Sequence, residues 1–114
     1  MTEREEQLIQ EVTGGFTPAD DEHIAREKRK AQELRQSQWW KNELGKGVCR
    51  YCGRHFPPKE LTMDHIVPII RGGVTTRGNV VPCCKECNSQ KKYMLLSEWQ
   101  EYKELLRKEA EEKS

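Results

Sequence analysis

The apolar residues of this chain fall into short clusters separated by long polar stretches. Residues 2–13 have helical spacing and end at two glycines, which predicts a short acidic helix. A longer helix is predicted over 18–44, with Thr17 as its N-cap. Its first half has few apolar positions and is expected to be solvated. The Trp39–Trp40 pair near its end favours core packing, with an oligomer contact as the second interpretation.

The middle of the chain combines turn residues with two short apolar runs. Residues 61–67 alternate apolar and polar side chains and predict a strand, and residues 79–84 predict a second strand. Prolines and glycines between these runs indicate loops. A helix is predicted over 84–93. A last helix is capped by Ser97, and one apolar core-facing stripe is formed by Leu95, Trp99, Tyr102 and Leu106.

Composition limits the size of the core. The 114 residues are 34% hydrophobic and 34% charged, with a mean hydropathy of −0.97, which indicates one small domain with extensions. Domains with so little apolar material often need a metal or disulfides for stability. No run approaches the roughly 20 apolar residues of a membrane span, and the first residues lack the apolar segment of a secretory signal. We therefore expect a cytoplasmic protein with no membrane partner.

Charge is distributed unevenly along the chain. Residues 46–93 contain nine Lys and Arg against three acidic residues, a net charge of +6, whereas the flanks together carry −5. This segregation predicts that the middle meets a polyanion such as nucleic acid. The expected nucleic-acid contacts are Arg50, Arg54, Arg71, Arg77, Lys85 and Lys92.

The cysteines form two Cys-x-x-Cys knuckles, Cys49–Cys52 and Cys84–Cys87. In a reducing compartment such pairs bind metal more often than they form disulfides. Two knuckles supply the four thiolates of a tetrahedral zinc site, so we expect a structural zinc ion. Cys83 leaves the register open, because it could replace Cys84 as a ligand or be buried as a small apolar side chain.

Between and around the knuckles, Asp64–His65, Asn79 and Asn88 form the motif "CRYC…MDHIVPIIRGG…RGNVVPCCKECNSQK". This motif resembles the HNH endonuclease family, the ββα-metal nucleases, over less than half of the chain. The run "DHIVP" resembles the first strand of the family, and "GNVVPCCKECN" resembles its second strand and helix start. The third letter of the family name, a histidine in many members, is here Asn88. This departure bears on the preferred metal.

The resemblance implies an α+β fold, with a small zinc-stabilised ββα-metal (treble-clef-like) core and flanking helices. We divide the chain into an N-terminal helical extension (1–45), a nuclease core with structural zinc (46–94) and a C-terminal helix packing on it (95–114). The implied substrate is double-stranded DNA, bound with low sequence specificity. The alternative to low specificity is specificity provided by the long N-terminal helix, by a second copy of the chain in a homodimer, or by a partner protein.

The resemblance also assigns roles to single residues in phosphodiester hydrolysis. His65 becomes the general base, which suits an imidazole with an ordinary pKa near 6.5. Asp64 and Asn88 hold one catalytic Mg²⁺ or Mn²⁺ and leave positions for water and phosphate. Asn79 braces the loop and orients His65, and Lys91 contacts phosphate. Neighbours on a regular strand point to opposite faces, so we expect the strand to bend at Asp64–His65.

Each of these residues also has an ordinary structural interpretation. Asn79 is a typical turn residue, Asn88 a typical helix cap, and Lys91 a typical solvated lysine. His55, beside the first knuckle, is a minor candidate for a ligand or phosphate contact. For the whole chain, the alternatives to a nuclease are a non-catalytic zinc-bound nucleic-acid-binding module and a treble-clef-like protein-interaction module.

Overall fold

The computed structural model describes residues 1–113 and places a two-stranded sheet among five α-helices. The strands are β1 (Leu61–His65) and β2 (Val80–Cys84). The helices are α1 (Glu3–Thr13), α2 (Asp21–Arg35), α3 (Gln38–Gly45), α4 (Lys85–Lys91) and α5 (Leu96–Lys113). Single 3₁₀ turns precede β1 (Pro58–Glu60) and follow it (Ile69–Arg71). Ser114, the last residue of the predicted C-terminal part, lies outside the described residues.

The prediction of one continuous helix over 18–44 is wrong, because the chain forms two helices there. Asp20 rather than Thr17 caps α2 through His23 N–H. Ser37 then starts α3, since its hydroxyl oxygen accepts from Trp40 N–H at 3.2 Å and donates to the Leu34 carbonyl at 2.6 Å. A serine that satisfies backbone groups on both sides favours a new helix start over continuation.

Helix α1 packs against α5. Thr2 and Glu5 form a capping box at the start of α1, and Gly14 ends it in the left-handed conformation, as the glycine pair predicts. Leu8 and Ile9 are buried in the main apolar cluster. The same cluster contains Trp99 and Tyr102, which confirms the predicted stripe on the last helix as core packing.

The two strands form an antiparallel hairpin with an uninterrupted register from Leu61↔Cys84 to His65↔Val80. Successive side chains therefore point to opposite faces, and Asp64 and His65 leave the strand in opposite directions. The chain bends only after the ladder, at 66–67. The bend expected at Asp64–His65 is therefore one residue later than predicted, because backbone pairing continues through His65.

The hairpin separates two regions of the molecule. One face of the sheet packs in a small cluster that contains Ala31 of α2, Trp40 of α3, Met63 and Val80. Trp40 is thus a core residue, as expected. The other face meets α4, which contacts both strands. The three elements β1, β2 and α4 make a ββα unit.

The fold confirms the predicted class, an α+β unit flanked by helices at both ends. Within residues 1–113, no helix combines the length and the apolar character that crossing a bilayer requires. The division at 45/46 and 94/95 stays a prediction. The contacts of α2 nevertheless matter for the site, because this helix packs against the 3₁₀ turn that follows β1.

Candidate active site and metal centre

Four cysteines converge at the junction of the hairpin and α4. The Sγ atoms of Cys49, Cys52, Cys84 and Cys87 all lie within 4.8 Å of one another. The first pair sits on a tight turn in which Gly53 N–H donates to the Cys49 carbonyl. The second pair sits at the start of α4, where Cys84 is the N-cap and accepts from Cys87 N–H. Four soft thiolates at this spacing fit a tetrahedral ion such as Zn²⁺.

Arg54 lies beside this cluster, with its side chain still half exposed. Its guanidinium donates to the Cys52 sulfur at 3.2 Å and to the Cys84 sulfur at 3.8 Å. The Arg54 hydrogen bond lowers the pKa of the Cys52 thiol to about 6, which favours the thiolate that binds metal. The same guanidinium pairs with Glu86 at 2.9 Å. The nucleic-acid contact of Arg54 stays a prediction, and in the structure its exposed guanidinium bonds the cluster and Glu86.

Cys83 is the fifth cysteine and lies outside the cluster. Its side chain is fully buried and its sulfur donates to the backbone carbonyl of Cys84 at 3.3 Å. Burial raises the pKa of this thiol, so it behaves as a small apolar group. The geometry thus groups Cys84, and not Cys83, with the other three.

Asp64 points toward α4 and is nearly buried, with 7% of its surface exposed. Its Oδ2 accepts from the Tyr51 hydroxyl at 2.6 Å and lies 3.2 Å from the ammonium of Lys91. Burial and the Asp64 hydrogen bond raise the pKa of Tyr51, so the phenol remains a donor. The other oxygen, Oδ1, has no hydrogen-bond partner among residues 1–113, and it is accessible to solvent. One carboxylate oxygen is therefore fixed and the other is open.

Lys91 is fully buried, contrary to both predictions made for it. Its ammonium also donates to the His65 carbonyl at 3.1 Å. It neither lies in solvent nor reaches a surface where a phosphate would bind. The three-residue spacing from Asn88 places it on the same face of α4, but that face packs on β1.

Asn88 lies one turn before Lys91 and contacts the start of β1. The Thr62 hydroxyl donates its proton to the Cys83 carbonyl at 3.0 Å, so it accepts from the Asn88 side-chain N–H at 3.3 Å. This orientation leaves the Asn88 Oδ1 available as a ligand. Thr62 and Asp64 are two residues apart on β1 and share a face. Asn88 and Asp64 therefore present oxygen atoms on the same side of the sheet, without bonding each other.

His65 faces the opposite side of the sheet, toward α2. Its Nε2 lies 2.9 Å from the hydroxyl of Thr75, in the loop before β2. Burial lowers the pKa of His65, and the nearby charge of Arg35 lowers it further, whereas Asp64 acts in the opposite direction. The ring is thus favoured in its neutral form near pH 7.

Asn79 braces the loop between the strands, as predicted, but through other bonds than those expected. Its side chain accepts from Val67 N–H at 2.9 Å and donates to the carbonyls of Val67 and Val74. It makes no hydrogen bond to His65 among the described residues. Instead it fixes the backbone beside Thr75, the residue that contacts the imidazole.

A groove runs beside β1 and contains residues from both faces of this strand. It is lined by Thr62, Met63 and Asn88, and by Arg35, Trp40 and Leu44 from the α2–α3 segment, with Leu61 at the start of the strand. Because β2 occupies one edge of β1, a groove that contains residues from both faces lies at its open edge. Arg35 is exposed there and has no ion-pair partner in the described part of the chain. It was missed in the sequence because it lies outside the motif.

The other predicted nucleic-acid contacts divide into two groups. Arg71 is a structural residue, since it makes two bonds to the Glu98 carboxylate at 2.7 and 2.8 Å and lies 4.2 Å from the centre of the Phe16 ring. Its contact with nucleic acid stays a prediction, while its guanidinium is engaged by Glu98. The remaining four are exposed, with Arg77 over the Trp39 ring: Arg50, Arg77, Lys85 and Lys92. Arg50 and Arg77 line one surface groove with Lys46.

His23 and His55 have different surroundings. His23, expected to be solvated, lies 2.9 Å from the Gly73 carbonyl and packs α2 on the loop. Gly73 is needed at this position, because a Cβ there would lie 1.8 Å from the Val67 carbonyl oxygen. His55 is exposed and forms a single bridge with Val48. It lies outside the four-cysteine cluster.

The chain matches known proteins over the segment that contains these features. Residues 49–102 match the family model described as HNH endonuclease. Over 60 residues the chain is 30% identical to a protein of Escherichia coli (strain K12) described as type IV methyl-directed restriction enzyme EcoKMcrA. This match covers 47% of the chain and 22% of that enzyme, so the chain spans about a fifth of the length of this relative. Together with the ββα unit and the four-cysteine cluster, these matches confirm the resemblance, and residues 49–102 are a domain of the HNH endonuclease family.

Proposed function

We propose that the chain is a metal-dependent endonuclease that hydrolyses phosphodiester bonds in double-stranded DNA. The observation that carries the proposal is the state of the His65 ring. Its Nε2 is hydrogen-bonded to the Thr75 hydroxyl. Its Nδ1 has no hydrogen-bond partner within residues 1–113 and is accessible to solvent. A neutral imidazole with one nitrogen anchored and the other open has the requirements of a general base for water.

Two metal sites are part of the proposal. Cys49, Cys52, Cys84 and Cys87 would hold a structural Zn²⁺, for which their sulfur spacing supplies the support. The open oxygens of Asp64 and Asn88 would hold a single Mg²⁺ or Mn²⁺, because hard oxygen donors suit these ions. When bound, this second ion supplies Lewis-acid stabilisation of the leaving oxygen. A reducing cytoplasm would keep the thiols free for zinc.

The protein groups of the proposed site would then act on the substrate as follows. His65 takes the proton of the attacking water at Nδ1. Lys91 and Tyr51 fix one oxygen of Asp64 and so aim the other. Arg35, exposed at the open edge of β1, contacts a phosphate of the bound strand. Arg50, Arg77, Lys85 and Lys92 add contacts to the backbone, which give affinity without sequence information. Low sequence specificity is therefore expected.

Cleavage of supercoiled plasmid tests the proposal. The zinc-loaded chain is incubated with Mg²⁺ or Mn²⁺ and compared with His65→Ala, which should slow cleavage by about a hundredfold or more. His55→Ala is the matched control, because His55 is an exposed histidine outside the groove. It should cleave at the rate of the unchanged protein. If the unchanged protein and His65→Ala leave the plasmid equally intact with Mg²⁺ and also with Mn²⁺, the endonuclease proposal fails. Salt-sensitive DNA binding without cleavage would then favour the non-catalytic module.

A further inference from the structure

Helix α2 is bonded to the loop that contacts His65. The backbone N–H of Thr75 donates to Oε1 of Glu27 at 2.6 Å, and the Thr75 hydroxyl donates to the backbone carbonyl of Glu27 at 2.9 Å. These two bonds join residues 48 positions apart in sequence. The same hydroxyl lies 2.9 Å from Nε2 of His65. A continuous hydrogen-bonded path thus connects α2 to the imidazole.

The direction of the protons along this path follows from its end. A backbone carbonyl only accepts, so the Thr75 hydroxyl must use its proton on Glu27. Toward His65 the hydroxyl can then only accept, and Nε2 must carry the ring proton. In the neutral ring, Nδ1 is left as the unprotonated nitrogen. The path therefore selects one of the two tautomers, the one with a free base at Nδ1.

Glu27 is buried although it lies in a helix with few apolar positions. Its surface is 1% exposed, and its Oε2 lies 3.3 Å from Nε of Arg26 and 3.4 Å from Nζ of Lys30. The Thr75 hydrogen bond lowers the pKa of Glu27, so it stays ionised. A buried carboxylate is costly unless all its contacts are made. Its position is thus fixed from both sides, by the helix and by the loop.

Two neighbouring contacts hold α2 and the residue before its N-cap on the loop. Ala19 N–H donates to the Ile70 carbonyl at 2.8 Å, and His23 lies 2.9 Å from the Gly73 carbonyl. His23 and Glu27 are four apart and so lie on one side of α2, and Ala19 lies just before the N-cap of this helix. Sequence patterns missed this contact because the two side chains of α2 that reach the loop, His23 and Glu27, are polar. The loop around Thr75 is therefore held at three points by α2 and its N-terminal flank.

We propose that Thr75 and Glu27 are positioning residues of the active site, which fix the orientation and tautomer of His65. Thr75 contacts the ring directly, and Glu27 acts through Thr75. The catalytic part of this inference rests on the endonuclease proposed above, whereas the state of the ring does not. Glu27 lies on α2, outside the matched segment 49–102. Helix α2 would therefore supply a part of the site that this segment lacks.

Nuclear magnetic resonance of the zinc-loaded full chain tests the state of the ring. A histidine ring N–H that is hydrogen-bonded and protected from solvent exchanges slowly enough with water to be observed. We expect one such signal for His65 at about pH 8, where the ring is neutral. His65→Ala assigns it. Thr75→Val has nearly the same shape without the acceptor, so it should remove the signal, and Thr75→Ser should retain it. Thr76→Val, at an exposed neighbour, is the matched control and should change nothing.

His23 provides an internal reference in the same spectra, because its Nε2 faces a backbone carbonyl and must also carry a proton. Its signal should persist in every Thr75 variant that keeps the loop in place. Glu27→Gln keeps an acceptor oxygen for Thr75 N–H and should retain the His65 signal, whereas Glu27→Ala should lose it. A Thr75→Val protein that keeps the His65 signal would overturn the proposal.

Kinetics with the same variants separate this inference from the endonuclease proposal. Thr75→Val should lower kcat by about tenfold or more with KM unchanged, because it disturbs orientation rather than binding, and Thr75→Ser should restore it. If the unchanged protein cleaves and Thr75→Val has full kcat, the positioning role is wrong. If the unchanged protein does not cleave while the ring signals behave as described, the endonuclease proposal fails and the positioning of the ring stands.

Discussion

The ammonium of Lys91 lies 3.2 Å from the Oδ2 of Asp64, in a place where the lysine is fully buried. Lys91 also binds the His65 carbonyl, so one cation contacts both residues of the Asp-His pair. The Tyr51 hydroxyl donates a hydrogen bond to the same Oδ2 atom of Asp64. An open Oδ1 remains for a ligand. In the proposed metal site, a carboxylate fixed in this way would be preorganised for an ion.

Replacing Lys91 should therefore destabilise the protein. Lys91→Met removes the charge with little change in volume and leaves Asp64 as a buried ion without its cation, which costs about 3 to 5 kcal/mol. Urea unfolding of the zinc-loaded protein measures this. Lys92→Met, at the exposed neighbour, should stay within about 0.5 kcal/mol of the unchanged protein. Adding Asp64→Asn to Lys91→Met should recover part of the loss, and equal stability of the two lysine variants would contradict the assignment.

The cysteines should differ sharply in their effect on zinc. Cys49→Ser and Cys87→Ser remove a thiolate from the cluster and should abolish tight zinc binding and unfold the domain, since structural zinc contributes about 10 kcal/mol or more. Cys83→Ala should keep one zinc ion per chain, because its sulfur bonds only a backbone carbonyl. Metal analysis and circular dichroism measure both results. Loss of zinc in Cys83→Ala would place that residue among the ligands instead.

Arg35 should contribute to DNA binding although it lies outside the matched segment. Arg35→Ala removes an exposed cation from the groove beside Asn88, so binding should weaken and the slope of log affinity against log salt should fall by about one. Arg35→Lys should retain most of the salt dependence. Arg29→Ala, an exposed cation on the same helix that does not line this groove, is the control. Fluorescence anisotropy with a DNA duplex at several salt concentrations measures all three, and equal slopes for Arg35→Ala and Arg29→Ala would exclude the contact.

Local sequence signals predicted the elements that depend on neighbouring residues. The hairpin, the helix after it and the apolar stripe of α5 follow from periodicity over a few residues, and the structure contains all three. The break at Ser37 was missed because serine occurs inside helices as well as at their starts, and only its two backbone bonds identify it as a cap. Periodicity also failed for α2, because His23 and Glu27 lie among its core-facing residues together with the buried Ala31.

The candidate site shows the same division. Spacing of cysteines within each knuckle predicted the four-sulfur cluster, because two thiolates on one turn are close whatever surrounds them. Spacing could not tell which cations are free. Arg54 and Arg71 count as basic residues in the sequence, but the fold pairs them with Glu86 and Glu98, which lie 32 and 27 positions away. Thr75 gives no signal of its own, because a threonine in a loop is unremarkable until an imidazole lies beside it.

The sequence by itself determined the family, the two knuckles and the order of strand, strand and helix, since each is encoded in residues close together along the chain. The tertiary structure alone decided that Lys91 is buried on Asp64, that Arg35 is open at the groove and that Glu27 reaches His65 through Thr75. These relationships join distant segments, and their existence depends on how α2, the loop and the hairpin pack. Short-range patterns carry no information about that packing, because the contacting side chains are polar and their partners are fixed only when the chain has folded.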